Sequence, residues 1–274
     1  MNGTRHSILT IMQTRRGSSR LPDKVLRPLL GRPLFVRQAE RIQASRLYGS
    51  LVVATTHEKA DDRVREICGQ YGLDCFPGEP LDVLDRHYRA ACRYEATIVV
   101  KIPSDCPLID PVVIDRVIGH YLEREGEYDY VSNLHPATYP DGNDVEVMSF
   151  SALERAWKNA TRPFEREHTT PYLWERPAEF RIGNIGMEGG DDLSMHHRFT
   201  IDYEEDYAFI RSVFEALYPV NPLFGLEDIL RLLEERPDLF LINHQWAGVN
   251  WYRKHLDELK TITADKTKIL ERGL

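Results

Sequence analysis

Ten residues near the N-terminus concentrate cationic chemistry. Arg15, Arg16, Arg20 and Lys24 stand against a single acid, Asp23, with Gly17, Ser18 and Ser19 between them. Arginine presents a planar fork that matches phosphate, and lysine a compact point charge. Glycine lets the backbone approach a ligand closely, and successive N–H groups in such a turn form an anion-binding concavity. The chemistry indicated is capture of a polyanion. A solvated basic loop has the same composition and is the plain alternative. The stretch follows neither the P-loop pattern nor G-x-G-x-x-G, so phosphate here would be held by side chains and loop amides in another way.

Two acids complement this loop. Asp105 follows the apolar run Ala96–Ile102, within Pro103-Ser-Asp-Cys-Pro, and Asp202 closes Phe199-Thr-Ile-Asp. In α/β folds, ligand-facing carboxylates gather at the carboxyl ends of strands; a turn-capping role is the alternative for each. Two such acids beside a basic loop suit a hard divalent cation, Mg²⁺, that shares phosphate oxygens. That is the equipment of phosphoryl or nucleotidyl transfer, with Arg20, Lys24 and Asp105 as the catalytic candidates. Asp141, Asp144 and Glu146, in Tyr139-Pro-Asp-Gly-Asn-Asp-Val-Glu, and Arg166 and His168, in Arg166-Glu-His, are candidate substrate contacts. For these the alternatives are a β-turn and a structural histidine. Asp110, before Pro111, reads as a helix N-cap. No pair of histidines has metal spacing.

These residues need a scaffold. Ser7–Thr14, Ser50–Thr55, Leu73–Phe76 and Ala96–Ile102 read as buried strands. Helices are expected from Pro33, over 61–71 with a stop at Gly72, and over 81–94. Alternation at this spacing means βαβ units and a mainly parallel sheet flanked by helices. The second half is less regular: helices over 110–123, 151–159, 165–174, 204–217 and 226–235, strands over 129–132, 144–150, 180–185 and 199–202, and a helical tail from Pro237. We read residues 1–274 as one domain in which 133–184 is an inserted arm.

Composition narrows the class. The chain has 274 residues, 42% hydrophobic content and a net charge of −8, with a pI near 5.7. No nucleic-acid or membrane partner is expected from that balance, which makes the basic loop a local exception. Cys68, Cys75, Cys92 and Cys106 show no C-x-x-C pairing, so neither zinc nor a disulfide framework is expected. The first residues lack the form of a signal peptide and no apolar run is long enough to span a bilayer. A cytoplasmic location is the expectation.

With these residues in hand, the chain resembles the cytidylyltransferase family, in particular the spore coat polysaccharide biosynthesis protein F branch, related to the acylneuraminate and 3-deoxy-manno-octulosonate cytidylyltransferases. Carrying the resemblance in order are Gln13–Leu26, Val53–Thr56, Asp82–Arg86, Ser104–Asp110, Asp129–Asn133, Tyr139–Gly142 with Asp144–Glu146, Arg166–His168, and Thr200–Asp202 with Glu205 and Asp206. It implies a Rossmann-like nucleotidyltransferase fold, also known as the nucleotide-diphospho-sugar transferase fold, and Mg²⁺-dependent transfer of CMP from CTP with release of pyrophosphate. By the same resemblance Arg15, Arg20 and Lys24 hold the triphosphate, Asp105 and Asp202 the metal, and Thr55 and Thr56 lie near base and ribose. Gln13, Thr14, Gly17, Ser18 and Ser104 complete the implied nucleotide-binding set. Thr14, Asp23 and Ser104 depart from the usual Ala, Gly and Gly, and Tyr203-Glu204 replaces a proline.

The expected function is thus activation of an anionic eight- or nine-carbon sugar by CTP. A glycosyltransferase using a preformed nucleotide sugar, a cytidylyltransferase for a non-sugar acid such as a phosphonate, and a nucleotide-binding protein without catalysis are the alternatives. The resemblance also implies a homodimer. The aromatics Tyr139, Phe150, Trp157, Phe164, Tyr172 and Trp174 would give the 133–184 arm the apolar surface for it.

Overall fold

The computed structural model describes residues 6–269. The expectation about a leader rests on residues that lie mostly outside that range, as does the end of the tail. Strand β1 (Ile8–Gln13) is central because Leu9, Ile11 and Met12 are all buried, on alternating faces of the sheet. A two-residue hairpin, β2 (Pro28–Leu29) and β3 (Arg32–Pro33), leads into helix α1 (Leu34–Gln43). Then come β4 (Ser50–Thr56), α2 (Asp62–Tyr71), β5 (Asp74–Gly78), α3 (Val83–Arg93), β6 (Ile98–Pro103) and α4 (Pro111–Glu123). Gly72 ends α2 in the left-handed conformation at φ 66°, the stop expected of a glycine there. Asp110 caps α4, its carboxylate accepting the Val112 N–H at 2.7 Å.

The second half adds β7 (Tyr130–Ser132), β8 (Glu146–Ser149), α5 (Phe150–Asn159), α6 (Pro163–His168), α7 (Pro171–Trp174), β9 (Ile182–Asn184), α8 (Glu204–Leu217), α9 (Leu226–Glu235) and α10 (Pro237–Phe240). The sheet order is β5-β4-β1-β6-β8-β7-β9, with only β8 antiparallel to its neighbours. One face of the sheet packs on α1, α2, α4, α8 and α9, the other on α3, α5, α6 and α7. Gln13 is in register with Ala54 and Pro103, so the loops after β1 and β6 emerge side by side.

Three expectations need correction. Residues 199–202 are not a strand of the sheet. They run extended past two loops, the Phe199 N–H donating to the Asp141 carbonyl (2.7 Å) and the Ile201 N–H to that of Asp105 (3.0 Å). Gly142 at φ 108° permits the close approach, since a Cβ there would lie 2.5 Å from the Phe199 backbone. Beyond α10 the tail has only 3₁₀ turns and loops instead of a helix, within the described residues. The stretch 133–184 contributes β8 and β9 to the sheet itself, and its helices α5 and α6 pack on α3. Tyr139, Phe164, Tyr172 and Trp174 are buried within the chain and Phe150 and Trp157 partly so. Exposed aromatic surface is therefore no argument for a dimer.

Candidate active site

A cavity of about 500 Å³ opens at the ends of β1 and β6. Gln13, Thr14, Arg15, Gly17, Ser18, Arg20 and Lys24 line it from the first loop, and Ser104 and Asp105 from the loop after β6. Asp141, Asp144, Glu146, His168 and Asp202 also line it. Each loop is fixed to its neighbour: the Thr14 N–H donates to the Ala54 carbonyl (2.8 Å), and the Ser104 N–H to that of Gln13 (3.2 Å). Gln38 on α1 clamps the turn that carries Asp105, donating to the Pro103 carbonyl (2.6 Å) and accepting the Cys106 N–H (3.1 Å).

The two aspartates converge, although nearly a hundred residues separate them. Lys24 Nζ lies 3.3 Å from Asp105 Oδ2 and 2.9 Å from Asp202 Oδ1, and also donates to the Ile201 carbonyl (2.7 Å). Arg20 Nη2 reaches Asp202 Oδ2 at 2.7 Å. Arg198, fully buried, connects Asp141 (3.1 Å), Asp202 (3.3 Å) and Asp206 (3.0 Å). Burial opposes the charge on Asp202, but Lys24, Arg20 and Arg198 outweigh it and hold the carboxyl well below its ordinary range. Lys24 is likewise penalised by burial, and the two aspartates more than restore its charge. Asp206 caps α8, accepting the N–H groups of Asp202 (2.8 Å) and Tyr203 (3.0 Å), which orients the segment that presents Asp202.

The acids beyond this centre differ in their partners. Glu146 is paired with Lys101 and accepts from Tyr130 Oη at 2.7 Å. Asp144 accepts only the Gly142 N–H, at 3.1 Å; burial, then the nearby Asp105 and Glu146 charges, push it up to about 6. His168 stacks on Trp251, ring centres 3.7 Å apart, and burial lowers it to about 3, so it is neutral near pH 7. Asp23 does not oppose Lys24. It forms a two-point pair with Arg16 (2.7 and 2.8 Å), outside the cavity.

Residues 9–243 match the sequence model of the cytidylyltransferase family. The chain belongs to that family. Among its relatives, an uncharacterised protein of Methanocaldococcus jannaschii is 34% identical over 237 residues, covering 86% of this chain and 94% of that one. The spore coat polysaccharide biosynthesis protein SpsF of Bacillus subtilis is 29% identical, covering 85% and 96%. A 3-deoxy-manno-octulosonate cytidylyltransferase of Zea mays is 35% identical over a shorter stretch, 53% of this chain and 50% of that one. In structure, a cytidylyltransferase of Leptospira borgpetersenii superposes with a TM-score of 0.81 at 30% identity, covering 86% of this chain and 97% of that one. The protein is a CTP-dependent nucleotidyltransferase of the nucleotide-diphospho-sugar transferase fold.

The donor set of this cytidylyltransferase fits a divalent cation. Asp105 and Asp202 already share one cation, the Lys24 ammonium, and carboxylate oxygens suit a hard ion. Among the described residues no group of three or more His, Cys, Asp or Glu is arranged to enclose a metal. Asp105 and Asp202 would hold such an ion, which would supply charge neutralisation there.

Three residues named from the sequence lie elsewhere. Thr55 and Thr56 are buried and do not line the cavity; the Thr56 hydroxyl donates to Asp61, which also accepts the Arg16 N–H (2.9 Å) and so braces the basic loop. Arg166 joins α6 to the start of α3, bonding Asp82 (2.9 and 2.5 Å) and the Trp157 carbonyl (2.7 Å). Sequence reading missed Arg198, Lys101 and Arg86 as cavity cations or their support. Arg86 is buried in the wall, bonded only to backbone carbonyls at 3.2 to 3.5 Å, and burial lowers it to about 10. Its place in the Asp82–Arg86 motif was the available signal.

Proposed function

We propose that this cytidylyltransferase transfers CMP from CTP to a hydroxyl of an anionic sugar, releasing pyrophosphate, with Mg²⁺ held by Asp105 and Asp202. The observation that carries the reading is the convergence of those two carboxylates on one cation, inside a cavity rimmed by Arg15, Arg20 and Lys24. The acceptor hydroxyl oxygen attacks the α-phosphorus in line as its proton passes to solvent, the new P–O bond forms, and the bond to the pyrophosphate oxygen breaks. Arg20 and Lys24 neutralise phosphate charge as it shifts towards the leaving group, so the protein supplies position and electrostatics without covalent chemistry. Bound Mg²⁺ would add charge neutralisation on the phosphate oxygens.

Gln13 supports cytosine as the base. Its Oε1 is buried in the cavity wall and accepts no hydrogen bond. The cytosine amino group would supply the donor that this oxygen lacks. The acceptor class rests on relatives named for 3-deoxy-manno-octulosonate and for a spore coat polysaccharide. Pyrophosphate release with each of the four nucleoside triphosphates and a panel of acidic sugars tests the proposal. CTP with at least one sugar acid should turn over. Equal rates with UTP, or nucleotide-sugar consumption without pyrophosphate, would sink it.

A further inference from the structure

The family match stops at residue 243, yet the cavity wall continues through residues 249–255. This segment is fastened in place. The Val249 carbonyl accepts from Arg198 Nη1 (3.2 Å), the Gly248 carbonyl from the Lys268 N–H (2.6 Å), and Thr267 Oγ1 from the Asn250 N–H (3.2 Å). Further on, Glu175 accepts the Lys260 and Thr261 N–H groups at 2.7 and 2.9 Å. Trp246 stacks on Tyr203, centres 3.8 Å apart and planes 5° apart, and Arg20 lies 5.4 Å from the Tyr203 ring centre. The tail therefore backs an arginine of the basic loop.

The same tail brings a cation of its own. Arg253 is partly buried and lines the cavity with Arg20, Lys24, Asp105 and Asp202. Its Nη1 donates to the Asn250 carbonyl at 2.6 Å, which fixes the guanidinium over its own turn. Arg20, Lys24 and Arg198 each touch a carboxylate; among the described residues Arg253 touches none. Burial weighs most against its charge, and the ionisable groups acting on it are Tyr203, Arg20, Asp202 and Arg198, all at the same end of the site. A partly desolvated guanidinium in no direct ion pair, beside other arginines, suits an anion.

We propose that Arg253 is a further phosphate-binding residue, contacting the part of CTP that leaves as pyrophosphate. The inference rests on the CTP-using reading above, and commits to phosphate over an acceptor carboxylate because its charged neighbours are Arg20 and Asp202.

Calorimetric titration of the full chain, Arg253→Gln and Arg253→Lys, with CTP, CMP and pyrophosphate at fixed Mg²⁺, tests it. Loss of one charge-assisted contact should weaken CTP and pyrophosphate roughly tenfold in Arg253→Gln and leave CMP within about twofold. Arg253→Lys, which keeps the charge, should fall between, and it carries the test if the Gln variant proves unstable in a melting scan. Unchanged CTP and pyrophosphate affinity, equal weakening of CMP, or a rise confined to the acceptor KM would each overturn the proposal. If the parent binds pyrophosphate in an Arg253-dependent way yet prefers another triphosphate, the base reading fails and this one stands.

Discussion

Lys24 holds together two carboxylates that would otherwise repel. Its ammonium lies within 3.3 Å of Asp105 and 2.9 Å of Asp202, and the surrounding arginines keep Asp202 ionised despite burial. Lys24 also donates to the neutral Ile201 carbonyl, so part of its anchoring does not depend on the two carboxylates. Asp105→Asn and Asp202→Asn keep the side-chain shape but remove the charge. Each should cut turnover by about 10²–10³ or more, the lost quantity being charge stabilisation in the transition state. Steady-state pyrophosphate release measures it, with circular dichroism reporting the fold. Turnover within a few-fold of the parent at low Mg²⁺ would mean that these aspartates only shape loops.

At the level of elements, the site is built by braces between neighbouring segments. Gln38 on α1 fixes the turn bearing Asp105, and Asp206 at the start of α8 fixes the one bearing Asp202. Arg166 belongs to this class. It ties α6 to Asp82, the cap of α3, and does not reach the cavity. Both side chains of that pair are partly solvated, which discounts the interaction. Arg166→Ala should therefore cost about 1 kcal/mol of stability. Denaturant titration reads that loss. CTP affinity and kcat should stay within a few-fold; a rise in acceptor KM of tenfold or more would instead restore Arg166 as a substrate contact.

For the whole molecule, acid is the sensitive direction. His87 is fully buried on the inner face of α3, its Nδ1–H donating to the Val83 carbonyl at 2.8 Å while Nε2 has no partner among the described residues. Burial first, then the Lys101 and Arg86 charges, lower it to about 3 from an ordinary 6.5. The folded state thus excludes a proton that the unfolded chain binds. The resulting stability is intact above pH 6.5 and is lost as pH falls from there towards 3, by up to about 1.4 kcal/mol per pH unit. Urea unfolding from pH 7 to pH 4 should show stability falling, and His87→Gln should remove only part of the fall, because His135, His168 and His197 are lowered in the same direction. A stability unchanged across that range would refute the assignment. No described helix is long and apolar enough to cross a membrane, in keeping with the charge-rich composition.

Local order is what the amino-acid sequence by itself determined. The alternation of buried strands and helices, the Gly72 stop and the Asp110 cap depend on neighbours along the chain, and each was legible. So were the basic loop and the two aspartates, because residue type and strand-end position together suggest a ligand. Tertiary structure alone decided which charges meet. Asp23 turned out to belong to Arg16, Glu146 to Lys101, and Arg166 to Asp82, while Arg198 joined three acids from two loops and a helix. Ion pairing is non-local and nearly indifferent to sequence spacing, so one-dimensional reading cannot choose among candidate partners. The same reason hid Arg253: only folding back of the tail brings it beside Arg20 and Asp202.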